Sequence, residues 1–299
     1  TVLYFFLPNC RYIMYVSDVL KNAQQIFIYG ILNVVIHYHQ VFSEEELSTQ
    51  PPNVQETIKR NVGEGDLTEL GPIYSLKSVM EILTSEEHRH NPGVRTLLDN
   101  YVINCQELKK VPPLTQFRKP FVVIEGFQRR RRYIMTRKLS RYLRGIEVYN
   151  PPPGYLDLRE AFNYSVSARR AYFALGVYIA ANNVKMAIPY KAAVMSGYWL
   201  DQATFALAKK YKPNLPPADS HEWFWPHDLL KPDIIFYLMP TADSANTTAK
   251  PDHLKPLIMD LYRRWREPPV IFIEKEVTYR GMVNEMIPYL SSMYHRPTY

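Results

Sequence analysis

Phe121-Val-Val-Ile-Glu-Gly-Phe-Gln-Arg-Arg-Arg-Arg-Tyr133 decides how the chain reads. Four apolar residues, three of them β-branched, form a compact run that suits a buried strand. Glu125-Gly126 closes it, and an Arg- and Leu-rich helical stretch continues to about Leu143. Strand, tight turn and helix in that order make the first half of a βαβ unit.

The same alternation continues downstream. Ala192-Ala-Val-Met195, Asp233-Ile-Ile-Phe-Tyr-Leu238 and Val270-Ile-Phe-Ile273 are further short apolar runs. Between them lie the helical stretches Phe173 to Ala187, Gln202 to Lys210 and Leu254 to Trp265, with Tyr279 to Ser291 closing the series. Strands separated by helices of about ten residues or more imply parallel pairing with helices on both faces. The sequence therefore predicts an α/β fold, a doubly wound parallel sheet, over residues 118–299.

Upstream the character differs. Residues 1 to about 50 are aromatic and aliphatic, with Ile26 to His37 the most apolar run and Ser43-Glu-Glu-Glu46 a capping-type sequence. That apolar run is about a dozen residues, too short for a helix to cross a bilayer. Residues 51 to 116 are more polar, carry Gly63-Glu-Gly-Asp66, and show amphipathic spacing at Leu76 to Leu83 and Val94 to Leu108. Residues 1–117 are expected to form a mainly helical N-terminal extension.

Composition narrows the functional classes. The chain has 299 residues, with 11 Gly against 24 Pro and 23 Tyr, which disfavours folds built on glycine-rich loops. Cys10 and Cys105 alone make neither a disulfide framework nor a four-thiolate zinc site. Glu87-His-Arg-His90, and His37 with His39, space their imidazoles at i, i+2, which does not put them on one helical face, so no metal is expected. The net charge of +7 favours partners with acidic surfaces.

A strand ending in Glu-Gly before a helix is where a phosphate loop of pattern G-x-x-x-x-G-K-[ST] belongs. Its glycines admit phosphates to backbone N–H groups, its Lys neutralises the β and γ oxygens, and its hydroxyl holds Mg²⁺. Here Gly126 stands at the first glycine, followed by Phe127, Gln128, Arg129 and Arg130. Arg131 then occupies the second glycine position, Arg132 the lysine position and Tyr133 the hydroxyl position. A side chain at the second glycine blocks close approach. Arg does not replace Lys as a compact point charge. Neither ATP nor Mg²⁺ is expected to bind.

These residues resemble the thymidylate kinase family, most closely its mitochondrial UMP/CMP kinase branch. Phe121 to Gly126 look like the first strand and loop entry of that branch. Pro151 to Phe162 and Ala168 to Ile179 look like its substrate-side loop and following helix. Leu215-Pro-Pro-Ala218 and Trp225-Pro-His-Asp-Leu-Leu-Lys-Pro-Asp233 resemble the segment before its later strand, and the last run is the most specific. The resemblance covers about residues 118 to 293 and implies a P-loop nucleoside monophosphate kinase fold. It also implies an Asp-Arg pair at the end of the next strand, where this chain has Ser196, Gly197 and Tyr198. An arginine-bearing lid is implied over Thr241 to His253, which holds no arginine. Arg169 and Arg170 fall where the family contacts substrate phosphate and are candidates for residual anion contacts.

Phosphoryl transfer depends on positioning and charge neutralisation, and these are the parts that supply both. The reading is thus a pseudokinase, a structural or accessory subunit of a large assembly. The resemblance implies a mitochondrial setting, and the basic charge equally suits tubulin in a ciliary or flagellar axoneme. The alternative is a divergent nucleoside monophosphate kinase or nucleotide sensor using Arg132. Asp201 and Asp219 read as a helix-cap and a loop carboxylate, and Trp223, Phe224 and Trp225 as an aromatic corner packing the sheet. No nucleic-acid reading motif is recognised in the basic run 129–144, and no Ser-His-Asp signature is visible.

Overall fold

The computed structural model describes residues 2–7, 10–15, 71–115, 117–240, 252–274 and 278–294. The segments 26–37, 43–46 and 63–66, His37 and His39, residues 241–251 of the expected lid region and residues 295–299 lie outside the described residues. Two compact units divide the chain, Thr1–Gly63 and Glu64–Tyr299. In the first, β1 (Val2–Leu7) pairs antiparallel with β2 (Cys10–Tyr15), Leu7 opposite Cys10. The extension expected to be mainly helical thus also contains a hairpin, built from aromatic and aliphatic residues that suit a pleated backbone.

The second unit starts well before residue 118. Helix α1 (Leu76–Leu83) is capped by the Ser75 side chain and α2 (Pro92–Lys109) by Asn91, with Pro92 in its first turn. Val79 and Leu83 of α1 and Val94 and Leu97 of α2 are fully buried in the same core as the sheet. Contacts therefore move the break from the expected 117/118 back to 63/64: both helices bury their apolar faces on the α/β body.

That body is a five-stranded parallel sheet. Its strands are β3 (Phe121–Glu125), β4 (Ile146–Tyr149), β5 (Ala193–Ser196), β6 (Ile234–Leu238) and β7 (Val270–Ile273), in spatial order β4-β5-β3-β6-β7. Central β3 pairs Phe121 with Ala193 on one side and Val122 with Ile234 on the other. Val122, Ile124, Val194, Ile234 and Phe236 pack against α3 (Arg129–Tyr142) and α7 (Tyr279–Tyr294) through Met135, Leu139, Met282 and Met286. The alternate side chains Val123, Met195, Ile235 and Tyr237 join the core of α4 (Val166–Ala187), α5 (Trp199–Tyr211) and α6 (Lys255–Arg264). Both faces are covered, so the fold is α/β and doubly wound. Among the described residues no helix is long and apolar enough to cross a membrane.

The Trp225–Asp233 run is accounted for by architecture. Asp228 accepts from the Leu76 N–H at 2.7 Å and from the Tyr178 hydroxyl at 2.7 Å, fixing the start of α1 on α4. Asp233 takes a two-pronged contact from Arg118, at 2.7 and 2.9 Å, and accepts from the Phe121 N–H at 2.7 Å. One carboxylate thereby sets the relative height of β3 and β6. The Trp225 ring lies 5.7 Å from Tyr198 and 5.1 Å from Trp199, and Trp223 lies 5.9 Å from Trp265. Phe224 is 67% exposed, so the aromatic corner expected over these three residues is made by the two tryptophans without the phenylalanine. Asp233→Ala should lower unfolding free energy by about 2 kcal/mol, the scale of charge-assisted hydrogen bonds. Chemical denaturation measures it, and an unchanged midpoint would show that the strands register without this carboxylate.

Candidate functional site

In open parallel sheets the ligand crevice lies beyond the carboxyl ends of the strands, where the strand order reverses. Here the reversal is at β3: the chain leaves it for β4 and β5 on one side and returns to β6 and β7 on the other. The segment compared with the phosphate-loop pattern, Gly126 to Tyr133, and the segment expected at the acceptor site, Ser196 to Tyr198, lie at the carboxyl ends of the neighbours β3 and β5.

Gly126 is required by the backbone. Its φ is +136°, and a Cβ there would lie 2.7 Å from the Leu238 carbonyl oxygen of β6. The chain then turns almost directly into helix. Only Phe127 and Gln128 separate Gly126 from α3, and Arg129 and Arg130 are already helical, although they fall between the two glycine positions of the phosphate-loop pattern. A cradle of converging N–H groups needs those residues in an open arch.

The four arginines divide by direction. Arg129 and Arg130 are exposed, and Arg129 donates to the Tyr133 hydroxyl at 2.7 Å with its guanidinium over that ring. Tyr133 also meets Tyr149 edge to face at 4.9 Å. Arg131 turns inward, donating to Gln128 Oε1 at 2.9 Å and to the Met239 carbonyl at 2.7 Å, and burial lowers its pKa against the opposing influence of Tyr279. Arg132 folds back on its own turn and donates to the Gly126 carbonyl, with its Nε buried. Burial acts to lower the Arg132 pKa, but the charges of Asp201 and Glu125 outweigh it and the net shift is upward. Within this run two arginines are thus exposed and two are turned to contacts inside the protein.

The end of β5 completes the arrangement. Gly197, at φ +71°, lies under the Arg132 guanidinium: a Cβ there would be 3.7 Å from Nη2. Ser196 is buried. The Tyr198 N–H donates to Glu125 Oε1 at 2.9 Å, and its hydroxyl donates to the Leu230 carbonyl at 2.9 Å, so the ring is held in the core. Tyr237 and Tyr262 stack obliquely at 4.5 Å, and burial pushes both phenols far up, with Glu125 and Asp201 adding to the effect. Both stay protonated. The Arg132 guanidinium, the Glu125 and Asp201 carboxylates and the Tyr237 and Tyr262 phenols thus act on one another electrostatically at this end of the sheet.

The sequence alone does not single out several of these residues. Glu125 reads there only as the close of its strand, though a carboxylate ending a wholly apolar run is a legible signal. Asp201 is not the cap of α5, since Tyr198 holds that position without a side-chain bond; it is a first-turn carboxylate acting on Arg132. Tyr237 and Tyr262 read as core aromatics and give no signal. Arg170 donates to the Gly71 carbonyl and is lowered by burial, and Arg169 is lowered by burial and by neighbouring Arg159. Arg170 therefore has a structural contact with the leading segment.

Among the described residues no three His, Cys, Asp or Glu gather as metal ligands. His88 is buried between the Ser167 hydroxyl at 2.9 Å and the Tyr164 hydroxyl at 3.1 Å, tying the turn after α1 to the start of α4. No protein-family model matches the chain. Among solved structures, thymidylate kinase from Candida albicans is similar over 58% of this chain and 92% of its own, with 12% identity and a TM-score of 0.43.

Proposed function

We propose that the chain is a catalytically inactive relative of the nucleotide kinases, serving as a structural or accessory subunit of a larger assembly. The observation that carries this reading is Arg132. A catalytic cation at the lysine position must point at transferring phosphate. This one donates to its own turn and is balanced by the charges of buried Glu125 and half-buried Asp201. The early start of α3 supports the same reading, because it removes the arch that would cradle phosphate.

Isothermal titration with ATP and Mg²⁺, and with dTMP, UMP and CMP, is expected to give no saturable heat. A coupled phosphoryl-transfer assay on the same preparation is expected to give no product above the enzyme-free rate. Turnover of any of the three monophosphates would sink the reading and make the chain a divergent kinase. Binding without turnover would make it a nucleotide sensor.

The expected partners are protein subunits with acidic surfaces, supported by the net charge of +7. A mitochondrial assembly is supported by the branch that the sequence resembles, and an axonemal one by charge alone. This reading needs neither nucleic acid nor a membrane anchor.

A further inference from the structure

We infer that the outer face of α3 is a docking ridge for an acidic polypeptide segment of a partner protein. The inference deepens the proposed subunit role and rests on it for the existence of a partner. No Asp or Glu occurs from Arg129 to Arg144. With Arg131 and Arg132 turned inward, the outward basic side chains are led by Arg130, Arg137, Lys138 and Arg141. At about 100° per residue, Arg130, Arg137 and Arg141 fall within roughly 40° of one another and span about 16 Å. The buried side chains Met135 and Leu139 mark the opposite face of the helix.

The helix ends in a way that extends this row. The Gly145 N–H bonds to the Ser140 carbonyl at 2.8 Å, and the Arg144 N–H to the Arg141 carbonyl at 3.2 Å. That is the pattern in which the residue after the cap takes a left-handed conformation and glycine is preferred. Arg144 holds it at φ 50°, the one non-glycine residue with positive φ among the described residues. A left-handed position given to an exposed arginine where glycine would be relaxed points to a use for the side chain.

Carboxylate is the ligand chemistry the ridge already takes. Glu147 Oε2 of β4 lies 3.6 Å from Arg137 Nε. A single-stranded nucleic acid would need aromatic platforms between the cations. Of the nearby rings, Tyr133 and Tyr149 are engaged with each other and with Arg129, and exposed Tyr142, about 100° round the helix from Arg141, is a single platform and not a series. A row of guanidinium groups on one side of a helix instead matches a Glu- or Asp-rich segment bearing a carboxylate every three to four residues.

The test uses the full chain and fluorescence anisotropy with a labelled twelve-residue poly-glutamate peptide at low and moderate salt. Arg141→Glu with Arg144→Glu should weaken binding at least tenfold, while Lys109→Glu on α2, an exposed reversal away from the ridge, should change it less than twofold. Arg144→Gly relaxes the backbone, so it should raise Tm while still weakening the peptide, which separates docking from folding. Equal losses in the α2 and α3 reversals would overturn the ridge, as would no peptide binding. Tighter binding of a single-stranded oligonucleotide or of phosphatidylserine vesicles through the same residues would overturn the choice of partner. Kinase turnover in the same preparation would sink the subunit reading and leave the ridge result standing.

Discussion

Arg132→Met should destabilise the fold by about 3 kcal/mol, the scale on which removing one member of a buried charged group acts. For a unit of this size that is a fall in Tm of roughly 6 to 12 °C. The guanidinium donates to the Gly126 carbonyl, covers Gly197 and offsets the charges of Glu125 and Asp201. A methionine fills part of the volume and removes the positive charge that faces buried Glu125 and half-buried Asp201. Arg132→Met combined with Glu125→Gln should cost less than the sum of the two single changes, because each removes what the other leaves uncompensated. A working phosphate loop would behave in the opposite way. There the corresponding change would abolish turnover and barely alter the ligand-free protein. Urea denaturation of the four proteins decides it: a midpoint for Arg132→Met equal to that of the parent would mean that Arg132 is not structural.

The runs at 121–124, 192–195, 234–238 and 270–273 are legible as strands because a short, wholly apolar stretch between turn and helix signals has few other ways to be buried. Ile146–Tyr149 does not stand out in the sequence: it is short, at the sheet edge and only half-buried, so its composition carries little signal. Helices 76–83 and 92–109 are legible from apolar spacing, but their membership of the second unit is not, since that depends on which surface their apolar faces meet. The departure of residues 126–133 from the phosphate-loop pattern can be read directly. The inward turn of Arg132 cannot, because a run of arginines is ordinarily solvated and only the folded sheet brings Glu125 and Asp201 to it.

Glu222→Ala is the other substitution with a large expected cost, about 3 kcal/mol, and it bears on how residues 71–75 are held. The Glu222 side chain is 1% exposed. It accepts from Lys210 Nζ at 2.6 Å and from the Tyr74 hydroxyl at 2.5 Å, while its own N–H bonds to the Ser220 hydroxyl at 3.2 Å. Beside it Arg170 bonds the Gly71 carbonyl, so two charged groups anchor the segment that leads into α1. Burial acts to raise the Glu222 pKa, but the bonds from Lys210 and Tyr74 outweigh it and hold the carboxyl below its usual range. A carboxyl lowered on folding contributes stability above its unfolded pKa of about 4.3 and loses it as pH falls through the folded value. Lys210 runs the other way. Its hydrogen bond to Glu222 raises its pKa, so its share is present below about pH 10.4 and is lost as pH rises through the folded value. The pair should therefore give a plateau across neutral pH with an acid limb below about pH 4. Glu222→Gln keeps a partner for Tyr74 but has no charge to lose, so its stability should fall less steeply in that acid limb than the parent's. Parallel acid limbs for Glu222→Gln and the parent would assign the acid sensitivity to other carboxylates.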